Sequence, residues 1–309
     1  MTIGFIHEHK AFLPELNAYA DFFAARGIQS FIVHPSQLHT ISCDVEWHFM
    51  GRQVQRNRNR ITIHEYCSAS VPPFGKLKDS IKKLTNAQPD YRIFNSEYVR
   101  QRFNFTDAIP FGFRDCGIPS GISYQTNVQK QYDFVYVGTI DKSRNMELLF
   151  DCFTTGALKD RTLLVLTRNY QLLDVKYKNA RNIIFKGPIP FNEVYAHIQE
   201  ARFAINYMPN VAPFNQQASA KFLDYAACGI PVVTSDYHWV RSFQHTYGGH
   251  YFYLQPNWEN FTWENINSFT YAQPDLNSWT YEKQIFRSGV LSFLESKFSI
   301  PIPPNRYSA

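Results

Sequence analysis

Apolar residues along this chain recur in two alternating rhythms. Short runs such as TIGFI at 2–6, SFIVH at 30–34, VEWHFM at 45–50 and ITIHEY at 61–66 read as strands. PELNAYADFFAARG at 14–27 instead keeps a helical period, with Leu16, Tyr19, Phe22 and Phe23 on one face and Gly27 as the stop. RIFNSEYVRQRF at 92–103 continues the series. The turn-rich IPFGFRDCGIP at 109–119 predicts an inter-domain connection, and the polar, aperiodic SYQTNVQKQ at 123–131 places a boundary near residue 127. The second half repeats the rhythm through DFVYVG (133–138), MELLFDCF (146–153), TLLVLT (162–167), NIIFKG, a helix over 191–201, FAINY and YFYL (251–254). In the 191–201 helix, Val194, Ile198 and Ala201 are expected to point inward, and a last helical pattern runs around 279–294. Strands alternating with helices predict an α/β chain whose parallel sheets carry helices on both faces. A length of 309 residues suits two domains, 1–127 and 128–309.

Residues 215–235, NQQASAKFLDYAACGIPVVTS, hold the densest signal. They predict a polar loop, a helix from about Ser219 to Cys228, a stop at Gly229 and a buried strand at PVV. Lys221, Asp224 and Cys228 fall opposite the packing set Phe222, Leu223, Ala226 and Ala227. A lysine in a helix's first turn opposes the macrodipole, whereas a bound anion would reverse that sign.

The string SAKFLDYAACGIPVVTS resembles the donor-site segment of nucleotide-sugar glycosyltransferases of the GT-B architecture, in the retaining group known as family 4. YDFVYVGTIDKSRNMELL at 132–149 is similar to the strand and loop that open the C-terminal domain in that family. NIIFKGPIPFNEVYAHIQEARFAINYMP at 182–209 is similar to the strand, base-binding loop, helix and strand that precede the donor helix. The resemblance covers residues 130–255 well and the first half more loosely. It implies two Rossmann-like domains facing a central cleft, the first binding acceptor and the second the donor. It also implies that the helix near 279–294 crosses back onto the N-terminal domain.

Carried over residue by residue, the resemblance implies Lys221 and Arg144 on the donor pyrophosphate, with Gly138, Thr139 and Lys142 in the same loop region. Asp224 stands where the family has a Glu that holds the ribose hydroxyls, and a carboxylate accepts two hydroxyls at once. Gln216 stands where the family has another Glu, which leaves the stereochemical outcome open. Ser219 is expected to cap the helix and face the phosphates, and Gly187 to border the base. On the acceptor side, His64 and Glu65 follow ITI and are the candidate catalytic bases. His7, Glu8, His9 and Lys10 follow the first strand and are expected near the same place.

Charge adds a possible surface partner. Between Arg52 and Lys83 stand eight basic residues against two acidic ones, in a chain of formal net charge +5. Arg52, Arg56, Arg58 and Arg60 lie in a stretch without hydrophobic period. They are expected to form a loop patch for a phosphate-bearing acceptor or an anionic membrane surface. No nucleic-acid-binding motif accompanies the charge. No Asp-x-Asp motif or ligand-spaced His/Cys cluster is present, so neither a metal nor a cofactor is expected, and the absence of a dinucleotide fingerprint argues against a dehydrogenase. Five cysteines without paired spacing, and no leader-like run after Met1, lead to the expectation of a cytoplasmic protein, peripheral on the inner face of the membrane. The function expected is transfer of a sugar from a nucleoside-diphosphate sugar to a saccharide or lipid-linked saccharide. A sugar-nucleotide epimerase and a non-catalytic sugar-nucleotide-binding scaffold stand as alternatives.

Overall fold

A computed structural model describes residues 1–8, 13–122, 125, 127–140, 144, 146–168, 170–299 and 301–302, without the side chains of Leu172 and Asp174. The chain divides into two compact units, Met1–Ser120 with Ser278–Ala309, and Gly121–Asn277. The expected boundary near residue 127 compares with this division between Ser120 and Gly121.

The first unit opens with β1 (Thr2–Ile6), α1 (Glu15–Ala24), β2 (Gln29–Val33), β3 (Val45–Phe49) and β4 (Ile61–Tyr66). There follow α2 (Gly75–Thr85), β5 (Tyr91–Phe94), α3 (Glu97–Phe103) and β6 (Phe111–Phe113). The strands form one parallel sheet in the order β2-β1-β3-β4-β5-β6. In register, Phe5, Trp47, Ile63 and Tyr91 make an apolar row across β1, β3, β4 and β5, and α1 lays Leu16, Tyr19, Phe22 and Phe23 on that face. The adjacent register places His48, His64 and Arg92 in a polar row on the opposite face. Two expectations are corrected here. The segment 109–119 is no simple connector, because it contributes edge strand β6. Nor does a strand end at ITI: β4 runs on through His64, Glu65 and Tyr66.

The second unit follows the same plan with β7 (Tyr132–Val137), α4 (Glu147–Thr154), β8 (Leu163–Leu166), α5 (Gln171–Lys176) and β9 (Ile183–Lys186). Then come α6 (Phe191–Gln199), β10 (Ala201–Asn206), α7 (Ala220–Ala227), β11 (Val232–Ser235) and α8 (His238–Tyr247). The unit closes with β12 (Gly248–His250), β13 (Phe252–Leu254), α9 (Trp263–Ser268) and β14 (Ala272–Pro274). Its parallel sheet runs β13-β11-β10-β7-β8-β9, and β12 pairs with β14 as a separate antiparallel ladder. The core is built on Phe134, Tyr136, Phe150, Leu163, Val165 and Ile205. Ala201 belongs to β10 and not to the preceding helix, which correspondingly ends at Gln199.

After Asn277 the chain rejoins the first unit. Ile118 bridges to Thr280, and α10 (Tyr281–Arg287) and α11 (Val290–Phe298) cover the face already occupied by α1. The pattern around 279–294 thus forms two helices, separated at Ser288–Gly289. Arg26 reaches Glu282 at 2.9 Å, and the Tyr91 hydroxyl donates to the Ser288 carbonyl at 2.7 Å. Gly112 in β6 lies so close that a Cβ there would come within 1.8 Å of the Ser288 oxygen.

Candidate functional site

In the second unit the chain runs outward from β7 through β8 and β9, then returns to place β10 on the other side of β7. Beyond the carboxyl ends of β7 and β10 lies the switch point at which open parallel sheets bind ligands. Gly138 follows β7 there, and Tyr207 and Met208 follow β10. Lys221, in the first turn of α7, enters the same gap. Its Nζ donates to the Tyr136 hydroxyl and to the Tyr207 carbonyl, both at 3.1 Å, and lies 4.3 Å from the Tyr136 ring centre. A Cβ on Gly138 would stand 4.0 Å from that Nζ. The Lys221 side chain is therefore only 8% exposed. Cys228, assigned to the same face, is also buried and forms the C-cap.

A buried polar cluster holds the start of α7 in place. Ser219 caps the helix, its Oγ accepting from Phe222 N at 3.4 Å and donating to Asn206 Oδ1 at 2.7 Å. Asn206 in turn donates to Thr234 and Tyr237 at 2.9 and 3.0 Å. Backbone N–H groups of the first turn and an ammonium thus converge on one strand-end gap, a pairing suited to an anion. One turn along, Asp224 accepts from the Tyr195 hydroxyl of α6 at 3.0 Å. Burial pushes its carboxyl up to about 7, although the Tyr195 hydrogen bond pulls the other way.

The remaining donor candidates are more scattered. Thr139 is exposed, and its carbonyl accepts from Tyr136 at 3.3 Å. Arg144 sets its guanidinium 5.7 Å from the ring of Phe214, next to the 3-10 turn that contains Gln216. Lys142 lies outside the described residues. Gly187 follows β9 at φ +147°, where a Cβ would fall within 1.9 Å of the Thr167 carbonyl, so the backbone passes where only glycine fits. Tyr136, Tyr195, Asn206 and Tyr207 were missed in the sequence. The aromatic runs DFVYVG and FAINY contain three of them, but carry no sign of which side chain faces the gap.

The first unit corrects the expected bases. His64 and Glu65 are both fully buried within β4. Glu65 accepts from Trp47 Nε1 at 2.8 Å, Tyr19 OH at 3.1 Å and Arg114 Nε at 2.6 Å. Burial disfavours the Arg114 charge, yet Glu65, Tyr19 and Glu15 beside it hold the guanidinium protonated. His64 donates to Gln53 Oε1, and burial together with His48, Arg92 and Arg56 pulls its pKa well below the usual histidine value. Both side chains are paired within the sheet rather than exposed at a strand end. The switch point of this sheet lies between β1 and β3 instead, where Glu8 approaches Gly51: a Cβ on Gly51 would meet Glu8 Oε1 at 3.1 Å. Buried His7 precedes it, while His9 and Lys10 lie outside the described residues.

The arginine patch is corrected in part. Arg56 pairs with Asp90 at 2.5 Å and donates to the Gln88 carbonyl, and Arg60 pairs with Glu46 at 2.9 Å. Arg52 and Arg58 are exposed. Among the described residues no group of three or more His, Cys, Asp or Glu is placed to hold a metal ion.

No protein-family model matches the sequence, and neither does any curated protein. Solved structures do match in shape. Sucrose-phosphate synthase from Thermosynechococcus elongatus aligns at TM-score 0.62 and 13% identity, over 96% of this chain and 98% of that one. HepE of Anabaena, in complex with UDP-glucose, aligns at TM-score 0.62 and 10% identity, over 97% and 100%. The UDP-GlcNAc 2-epimerase of Methanocaldococcus jannaschii, in complex with UDP-GlcNAc and UDP, aligns at TM-score 0.52 and 12% identity, over 95% and 100%. Such identities establish the fold alone: two parallel-sheet, Rossmann-like α/β domains of the kind found in GT-B proteins.

Proposed function

We propose that this chain is a GT-B glycosyltransferase, related to family 4, that transfers a sugar from a nucleoside-diphosphate sugar to a saccharide or lipid-linked saccharide. The observation that carries the reading is Lys221, held by Tyr136 and Tyr207 at the β7–β10 switch point beside the capped start of α7. As the sugar leaves in an oxocarbenium-like state, negative charge grows on the departing diphosphate, and an ammonium already fixed at that spot stabilises it. Asp224 takes the ribose hydroxyls, Gln216 the sugar hydroxyls, and Arg144 with Lys142 adds positive charge to the phosphates. Gly187 borders the base. The acceptor belongs to the first unit, near Glu8. HepE in complex with UDP-glucose favours a uridine nucleotide among the possible donors. A lipid-linked acceptor in surface polysaccharide or glycolipid synthesis would bring the protein to the inner face of a membrane.

Calorimetry with UDP, GDP, ADP and CMP tests this reading. One nucleotide is expected to bind, and Lys221→Ala and Asp224→Ala are each expected to weaken it roughly 10–100-fold, the loss of a charge-assisted hydrogen bond. Wild-type protein that ignores all four would overturn the assignment. The likeness to the 2-epimerase favours a second reading, epimerisation of the donor. Product formed without any acceptor would select it, and binding with neither transfer nor hydrolysis would select a scaffold.

A further inference from the structure

Helix α2 presents its apolar residues to solvent. Its buried positions are Gly75 and Asp79. Asp79 accepts from Arg102 Nε at 2.8 Å and from Ser70 N at 3.0 Å, so the inward side of the helix is held by polar contacts. At 100° per residue, Leu77, Ile81 and Leu84 fall on the side opposite Asp79. They are 58%, 50% and 82% exposed. Phe74, the residue before the helix, is 74% exposed and is held at φ +62°, a left-handed conformation uncommon for a bulky side chain. Lys76 flanks this ridge on one side and Lys78 and Lys82 on the other, while Lys83 turns inward to donate to the Asn104 carbonyl.

An ordinary surface helix buries its apolar stripe and exposes charge. Here the stripe faces out and the one acidic side chain faces in, which leaves an outward surface of leucine, isoleucine, phenylalanine and lysine. Two classes of partner would cover an apolar ridge, and the lysine flanks favour one. A helix lying in a bilayer interface sinks its apolar ridge among acyl chains while flanking lysines extend to anionic headgroups. We infer that α2, with Phe74, is a docking element for an anionic membrane surface. Exposed Arg52 lies nearby, since the loop around it is tied to the end of the helix by Gln53 N donating to Asn86 Oδ1 at 3.0 Å. The inference deepens the proposed function and rests on it for the reason this chain would visit a membrane. It also moves the contact from the arginine loop to a helix.

The full chain is floated through a density gradient with vesicles of phosphatidylcholine alone or enriched in phosphatidylglycerol. Wild-type protein is expected to float with the anionic vesicles and to stay behind with the zwitterionic ones. The exposed-site variant Leu77→Ser/Ile81→Ser/Leu84→Ser should lose more than about tenfold in binding. Lys76→Gln and Lys82→Gln should each weaken it about fivefold. Indifference of the wild type to anionic vesicles, or a triple variant that floats like the wild type, overturns the inference. So does a concentration-dependent dimer in sedimentation that the triple variant abolishes without any flotation, which assigns the ridge to a second copy of the chain. Nucleotide binding measured on the same preparations separates the two readings. Binding without flotation removes only the docking element, whereas flotation without binding removes only the proposed donor site.

Discussion

A carboxyl group at about 7, as at Asp224, gives two pH dependences of opposite sign. The folded chain keeps a proton that the unfolded chain has released between the ordinary value of 3.8 and about 7. The contribution of this group to stability therefore falls as pH rises through that window and is flat above it. Ribose hydroxyls, in contrast, need the ionised acceptor, so nucleotide affinity should rise as pH passes 7 and then level off. Asp224→Asn should abolish both trends, with a higher urea midpoint than wild type at pH 8 and no gain in affinity between pH 6 and 8. Because the Tyr195 hydrogen bond lowers this pKa, Tyr195→Phe should move the midpoint of the affinity profile upward. Asp115 in the first unit is likewise raised, to about 6 by burial, so each variant is compared with wild type at every pH.

At the scale of elements, Arg114 fastens the stretch after β6 to β4 and α1 through Glu65 and Glu15. Arg114→Ala strands a buried carboxylate and should cost about 3–5 kcal/mol, whereas Glu65→Leu/Arg114→Met, which removes both charges, should recover most of it. Urea unfolding followed by the fluorescence of Trp47, whose indole touches Glu65, reads the difference. This pair also shows what the sequence could and could not disclose. Local signals were legible: α1 buries the four residues its period predicted, and α7 spans Ala220–Ala227 between the expected cap Ser219 and the expected stop. The partners of Glu65 were not, because Arg114 lies 49 residues away and only the sheet brings them together. Without that pairing, HEY after ITI reads as a polar strand end. α2 escaped notice for another reason: its apolar residues serve no core, and its lysines entered only as part of the basic stretch between 52 and 83. Lys221 was found by its motif, but its burial depends on Tyr136 in β7 and on Tyr207 just after β10.

Considered as a whole molecule, the chain is interleaved: Gly121–Asn277 forms one unit, while Met1–Ser120 needs Ser278–Ala309 to finish the other. Deleting residues 278–309 removes α10 and α11 and exposes Tyr91 and the face of α1 that carries Phe22. Hydrogen exchange on that truncated chain should show protection lost across β1–β6 and retained in β7–β11, with nucleotide binding preserved. The same interleaving dictates an order of birth. On the ribosome, the first sheet emerges with one apolar face covered only by α1 and must wait for α11, which ends about 180 codons past Ser120. At about 5–20 residues per second that wait is about 9–36 s. The middle unit has everything it needs before then and can fold while still tethered. Of the two units, the one whose synthesis starts earlier is thus the later to be completed, and in the interval its exposed Phe, Trp and Ile residues are the segment that nascent-chain chaperones would hold.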